Sequence, residues 1–166
     1  DFIGFGLCQH TRLMISLGLV CVSRSLLISD VNIYFKRDDL TGIGIGGNKN
    51  RKLEFIIADA IEKDATDIIT HGATQTNHGC QTSGIASRYG FTCHLLLENR
   101  RMNFDEEYLN SGNIFLSKLL NTKLYHYDAK ADMNHEMEKL ADKIREKGRN
   151  PYMIPGGASN ARGSLG

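Results

Sequence analysis

The run Gly46-Gly47-Asn48-Lys49-Asn50-Arg51-Lys52-Leu53-Glu54 sets one lysine where a glycine-rich turn gives way to a helical pattern. A lysine amine condenses with a carbonyl group to form a Schiff base, and it does so only as the neutral amine. Partial burial, neighbouring cations and the positive end of a helix all lower an ammonium pKa. Lys49 stands where the three can meet, because Arg51 and Lys52 follow it and apolar helix positions come next. The same residues also read as a solvated basic helix start in which the glycines serve only the turn.

A second polar run, Gly72-Ala73-Thr74-Gln75-Thr76-Asn77-His78-Gly79, lies between an apolar segment and a helical one. Thr76 and Asn77 are residue types that cap helices. Backbone N–H groups where a strand runs into a helix also hold carboxylates, and the two roles are compatible. Gly42, Gly44 and Gly47 satisfy G-x-G-x-x-G, but the context of a dinucleotide site is missing. Lys36-Arg37-Asp38-Asp39 intervenes where an apolar strand should run into the first glycine, and the next strand ends in His71-Gly72 rather than an acid. A Walker loop is excluded because Asn48 occupies its lysine position and no Ser or Thr follows Lys49.

Lys36-Arg37-Asp38-Asp39, Gly46-Gly47-Asn48-Lys49 and the Gly72–Gly79 run together resemble the D-cysteine desulfhydrase and 1-aminocyclopropane-1-carboxylate deaminase family. The resemblance continues in order through Leu97-Glu98-Asn99, Asn110-Ser111-Gly112-Asn113, Asp132-Met133-Asn134 and Pro151-Tyr152-Met153-Ile154-Pro155-Gly156-Gly157. It implies a pyridoxal 5′-phosphate enzyme of the tryptophan-synthase-β-like fold (fold type II). Lys49 then matches the Schiff-base lysine and Lys52 the second lysine of the motif. Thr76, Asn77 and His78 match the loop before the cofactor ring and would hold substrate, with Asn77 also reaching the cofactor's phenolic oxygen. Thr76 is a candidate catalytic hydroxyl; the deaminase branch has serine there, which favours the desulfhydrase branch. Cys80 stands where relatives commonly carry arginine.

The implied activity is β-elimination from a small amino acid, D-cysteine, to pyruvate, ammonia and sulfide. The alternatives are the cyclopropane deaminase and, in another class, an inactive or binding-only fragment. The resemblance also implies a cytoplasmic homodimer at full length. The family's glycine-rich phosphate cradle lies in a later segment, so the chain reads as an N-terminal piece unable to turn over substrate alone.

The net charge of +1 gives no reason to expect nucleic acid or an anionic membrane as partner. Cys8, Cys21, Cys80 and Cys93 lack metal-type pairing, and neither His71 nor His78 completes a ligand set, so no metal is expected. Free thiols suit a reducing cytosol. The apolar segment Leu13–Val22 is too short to span a bilayer, and it reads as a buried element in preference to a signal peptide.

The elements that must position these residues alternate. Strands are expected over 31–35, 67–70, 92–97, 123–127 and 152–154. Helices are expected over 49–63, 77–89, 106–120 with an interruption at Gly112, and 133–147. This pattern predicts an α/β fold with a mostly parallel sheet flanked by helices, to which the resemblance adds an incomplete second domain and the following division. Residues 1–51 would belong to a larger domain, 1–30 being atypical, 52–157 would form a smaller α/β domain, and 158–166 would start the return.

Overall fold

The computed structural model describes residues 19–22, 33–43, 46–100 and 105–166. The first eighteen residues and 23–32 lie outside the described residues, as do Gly44 of the glycine pattern and most of the apolar segment 13–22. Strand β1, Leu19–Val22, pairs antiparallel with β2, Ile33–Lys36, Leu19 opposite Lys36. Helix α1, Lys49–Glu62, follows. Then come β3 (Asp67–Ala73), α2 (Asn77–Tyr89) and β4 (Thr92–Asn99). Two short helices, α3 (Glu106–Asn110) and α4 (Gly112–Leu119), lead to β5 (Lys123–Asp128). Helix α5 (Met133–Arg145) and β6 (Pro151–Ile154) complete the regular elements. Four strands form a parallel sheet in the order β5-β4-β3-β6.

Both faces of this sheet are covered, which is why its central strands are apolar runs rather than alternating ones. On one face Leu53, Ile56, Ile57 and Ala60 of α1 and Ile85 and Ala86 of α2 meet Ile68, Cys93 and Ile154. Ile114 of α4 joins Leu95 and Leu97 on that side. On the other, Met133, Met137, Ala141 and Ile144, the expected stripe of α5, pack on Ile69 and Leu96. Each fully buried leucine or isoleucine contributes about 1.5–3 kcal/mol, so the Leu95-Leu96-Leu97 run, buried on alternate faces, fixes β4 centrally.

The helix boundaries follow local chemistry. Thr76 caps α2 by accepting the Gly79 N–H, and Gly90 ends it in the left-handed region at φ +78°. Asp132 accepts from the Asn134 and His135 N–H groups at the start of α5. The helix expected over 106–120 with an interruption at Gly112 is two helices, broken directly before that glycine. Ser111 between them is extended, at φ −115° and ψ −179°.

The amino end of the sheet is pinned by a buried polar cluster. His94 Nε2 meets Asp67 Oδ1 at 2.9 Å, and His94 Nδ1 meets the Tyr125 hydroxyl at 3.0 Å. Arg149 donates to Asp67 Oδ2 at 2.7 Å and to Thr92 Oγ1 at 2.8 Å. Burial opposes ionisation of Asp67, but the hydrogen bonds from Arg149, Thr66 and His94 outweigh it and hold the carboxyl below its ordinary range. This closes the end from which the strands start and leaves the carboxyl ends of β3 and β6 for a site. No helix among the described residues is long and apolar enough to cross a membrane.

Candidate active site

Three segments meet at that carboxyl edge: the start of α1, the β3–α2 loop, and the loop after β6. The start of α1 is set by the 38–47 loop folding back on it. Thr41 Oγ1 donates within 3.0 Å of both the Asp38 and Gly47 carbonyls, and Gly47 N–H donates to the Asp38 carbonyl at 2.7 Å. Buried Asn50 clamps the loop, its amide nitrogen donating to the Thr41 carbonyl at 2.6 Å and the Ile43 carbonyl at 2.9 Å. Lys49 is thereby left half-buried at the first turn. Its ammonium donates to Asn48 Oδ1 at 3.1 Å and forms no ion pair among the described residues.

The 38–47 loop also abuts α2: a Cβ on Gly47, at φ +128°, would sit 2.6 Å from Gln81 Nε2. The loop after β6 closes the third side. A Cβ on Gly157 would lie 3.7 Å from Lys49 Cε, and Gly156 N–H donates to His71 Nε2 at 3.2 Å.

In the β3–α2 loop, Thr76 Oγ1 accepts the Gly79 N–H at 3.2 Å, so the hydroxyl caps the helix. Its side chain is wedged against β3, 2.5 Å from where a Gly72 Cβ would be. The N–H groups of Asn77 and His78 lie in the first turn, where a helix supplies no acceptors of its own. Asn77 is exposed, and its Oδ1 accepts from Asn113 Nδ2 at 2.6 Å.

The His78 ring turns inward instead, 5% exposed, with Nε2 2.9 Å from Thr70 Oγ1. Thr70 spends its own proton on the Ile154 carbonyl at 2.9 Å, so His78 Nε2 is the donor and Nδ1 is bare. Burial, then the charges of Lys49, His71 and Lys52, pushes His78 down to about 4. The ring is therefore neutral at physiological pH, and only its backbone N–H faces the loop.

Lys49, Thr76, Asn77 and His78 thus share one edge of the sheet. Thr41, Asn50, Thr70, Gln75 and Asn113, which orient them, were missed in the sequence. Asn113 lies in the quoted Asn110–Asn113 run, and that run was the available signal for its importance.

The donor set fits a cofactor carrying both an aldehyde and a ring oxygen. On this edge the Lys49 amine forms no ion pair and the Asn77 amide nitrogen forms no hydrogen bond among the described residues. Behind them, buried Nδ1 of His78 and Oε1 of Gln81 have no hydrogen-bond partner among the described residues.

Comparison with known proteins agrees. Residues 22–166 match the model of the pyridoxal-phosphate dependent enzyme family. The structure resembles that of a 1-aminocyclopropane-1-carboxylate deaminase homologue, with TM-score 0.72 and 40% identity over 81% of this chain and 40% of that one. At 15% identity the likeness to two others shows the fold alone. A pyridoxal 5′-phosphate-dependent aspartate racemase gives TM-score 0.60 over 95% and 46% of the two chains. Cysteine synthase from Entamoeba histolytica gives 0.57 over 81% and 39%. The chain spans between 39% and 46% of the length of these three.

Proposed function

The chain belongs to the pyridoxal-phosphate dependent enzyme family, with a fold-type-II sheet and pyridoxal 5′-phosphate as cofactor, and from that premise we propose that it is the lysine-bearing wall of an amino-acid lyase, D-cysteine desulfhydrase. The observation that carries the reading is Lys49 at the start of α1, whose glycine turn packs on α2, where the Asn77 side-chain oxygen is engaged by Asn113. When bound, pyridoxal phosphate supplies an electron sink for the bond broken at the substrate's α-carbon.

Lys49 would hold the cofactor covalently and, as a free amine, would take up the α-proton. Asn77 Nδ2 would donate to the cofactor's ring oxygen. The Asn77 and His78 N–H groups, beside the Thr76 hydroxyl, hold the substrate carboxylate. The α-proton leaves to Lys49 and the β-thiolate departs. Water then releases ammonia, so D-cysteine and water give pyruvate, ammonia and hydrogen sulfide.

We assign residues 52–157 to a smaller domain, and 1–51 and 158–166 to a larger one that carries the phosphate contacts outside these residues. The setting we infer is a cytoplasmic homodimer acting on a small amino acid, consistent with the free, buried thiols of Cys80 and Cys93.

The deaminase is the second reading, favoured by the 40% identity to a deaminase homologue. Thr76, where that branch carries serine, weighs against it. Borohydride reduction of the holoenzyme followed by peptide mapping should label Lys49; a label on Lys36 or Lys52 instead refutes the assignment. Sulfide and pyruvate from D-cysteine support the first reading, whereas ammonia and a four-carbon 2-oxo acid from the cyclopropane substrate alone support the second. Binding that gives a Schiff-base absorption band but neither product set would mark a binding-only protein.

A further inference from the structure

We propose that Asn113 is a positioning residue that locks the Asn77 side-chain amide with its nitrogen toward the ring oxygen of bound cofactor; this rests on the reading that Asn77 contacts that oxygen. Asn113 Nδ2 donates to the Gln75 backbone carbonyl at 3.0 Å and to Asn77 Oδ1 at 2.6 Å. A backbone carbonyl only accepts, so the atom facing it must be the Asn113 nitrogen. The same nitrogen lies against Asn77, which forces an oxygen to face it there. The Asn77 amide is therefore not free to turn over, and its own nitrogen points away from Asn113.

Gln75 fixes Asn113 in turn by the same logic. Gln75 Nε2 donates to two backbone carbonyls, Tyr108 at 2.7 Å and Ser111 at 3.1 Å. Gln75 Oε1 accepts the Asn113 N–H at 2.8 Å. Gly112 makes the approach possible: its φ is +57°, and a Cβ there would sit 2.7 Å from Gln75 Oε1. The break between α3 and α4 thus serves the site, since a continuous helix would not present these carbonyls and this N–H to Gln75.

The test compares holoenzymes carrying Asn113→Asp, Asn113→Ala, Asn77→Ala, and Asn77→Ala with Asn113→Asp together. Each is read by the absorption bands of bound pyridoxal phosphate and by its dissociation constant from equilibrium dialysis. Aspartate is isosteric and falls in the first turn of α4, where a carboxylate suits the helix dipole; like Asn113→Ala it gives up the bond to the Gln75 carbonyl, so circular dichroism and Tm of both variants are recorded beside the binding data. Aspartate cannot donate to Asn77 Oδ1. The Asn77 amide then turns over and presents oxygen to the cofactor's ring oxygen.

The expected result for Asn113→Asp is transfer of absorbance from the long-wavelength band of the ionised ring oxygen to the short-wavelength band of the protonated one. Cofactor binding weakens about tenfold, the effect of one lost hydrogen bond to a charged group. Asn113→Ala, which needs no new charge, moves both readouts in the same direction by less. Asn113→Asp adds nothing further in the Asn77→Ala background. If Asn77→Ala shifts the bands but both Asn113 variants retain the original bands and affinity, the positioning role is overturned while the Asn77 contact stands. If Asn77→Ala also changes nothing while Lys49→Ala abolishes the long-wavelength band, the contact itself fails and the positioning role with it. A shift that persists undiminished in the double variant belongs to the new charge and overturns the proposal.

Discussion

Replacing Thr70 with valine should cost far more than the same replacement at Thr82, although both side chains are 0% exposed. Valine keeps the shape and replaces the hydroxyl with a methyl. At Thr70 the hydroxyl serves two partners at once, donating to the Ile154 carbonyl and accepting from His78 Nε2, each at 2.9 Å. Its loss leaves a buried ring N–H without an acceptor and a buried carbonyl short of a donor. Each orphan costs about 1–3 kcal/mol, and the carbonyl falls at the low end because its second lone pair remains. The sum is about 2–4 kcal/mol. At Thr82 the hydroxyl donates only to the His78 carbonyl at 2.9 Å, which the α2 ladder also engages, so its loss should cost below about 1 kcal/mol. For a protein of this size about 2–4 °C of Tm corresponds to each kcal/mol, so Thr70→Val should lower Tm by roughly 4–16 °C. Urea unfolding of both variants gives the free energies, and imidazole nitrogen NMR reports the His78 tautomer, which Thr70→Val should release. The reasoning is refuted if Thr70→Val is no more destabilising than Thr82→Val, or if the Nε2–H tautomer persists unchanged without its acceptor.

Acid should destabilise the fold through its histidines. His78 titrates near 4 when folded against 6.5 ordinarily, so the unfolded chain takes the proton first and His78's contribution, complete above about pH 6.5, is lost as pH falls to 4. That gap is worth on the order of 3 kcal/mol. His71 and His94, also pushed down chiefly by burial, add in the same direction. Unfolding free energies between pH 7 and 4 should show this slope, and His78→Gln should flatten it; an equal slope in the variant would remove His78 as its source. Thr76→Ser should raise kcat/KM for the cyclopropane substrate relative to D-cysteine, because it keeps the cap on Gly79 N–H while unhindering the hydroxyl. An unchanged ratio would exclude that hydroxyl as a nucleophile.

The parts of the fold legible in the sequence were those whose cause is local. Asn77–Tyr89 was readable to both ends because Thr76 caps it and Gly90 stops it. The strands of the parallel sheet were readable as apolar runs between helical periods, though β3 and β4 extend past their expected ends to Ala73 and Asn99, into the site loops. The antiparallel pairing of Leu19–Val22 with Ile33–Lys36 carried no turn signal and was not foreseen. The break at Ser111 was only half readable. Gly112 announced an interruption, but its reason is a hydrogen bond from Gln75, 36 residues away. The site divides in the same way. Lys49, Thr76 and Asn77 announce themselves by residue type at a helix start. Thr70, Gln75 and Asn113 are ordinary polar residues in a strand, a loop and a helix, and their meaning exists only in what they touch.

The end of β3 carries opposite histidine tautomers on its two faces. His78 donates from Nε2 to Thr70 on the α2 side. His71, one residue after Thr70 and so on the other face, accepts at Nε2 from Gly156 N–H, which places its proton on Nδ1. Protonating either ring breaks a different wall of the site. A charged His71 would set an N–H against the Gly156 N–H and release the loop that lies beside Lys49. A charged His78 would place an ion in the core under α2, within the field of Lys49. Both histidines are held below their ordinary pKa chiefly by burial, so both walls are intact at neutral pH and above. A fall in pH should therefore loosen this edge from both faces of β3, the loop after β6 through His71 and the start of α2 through His78.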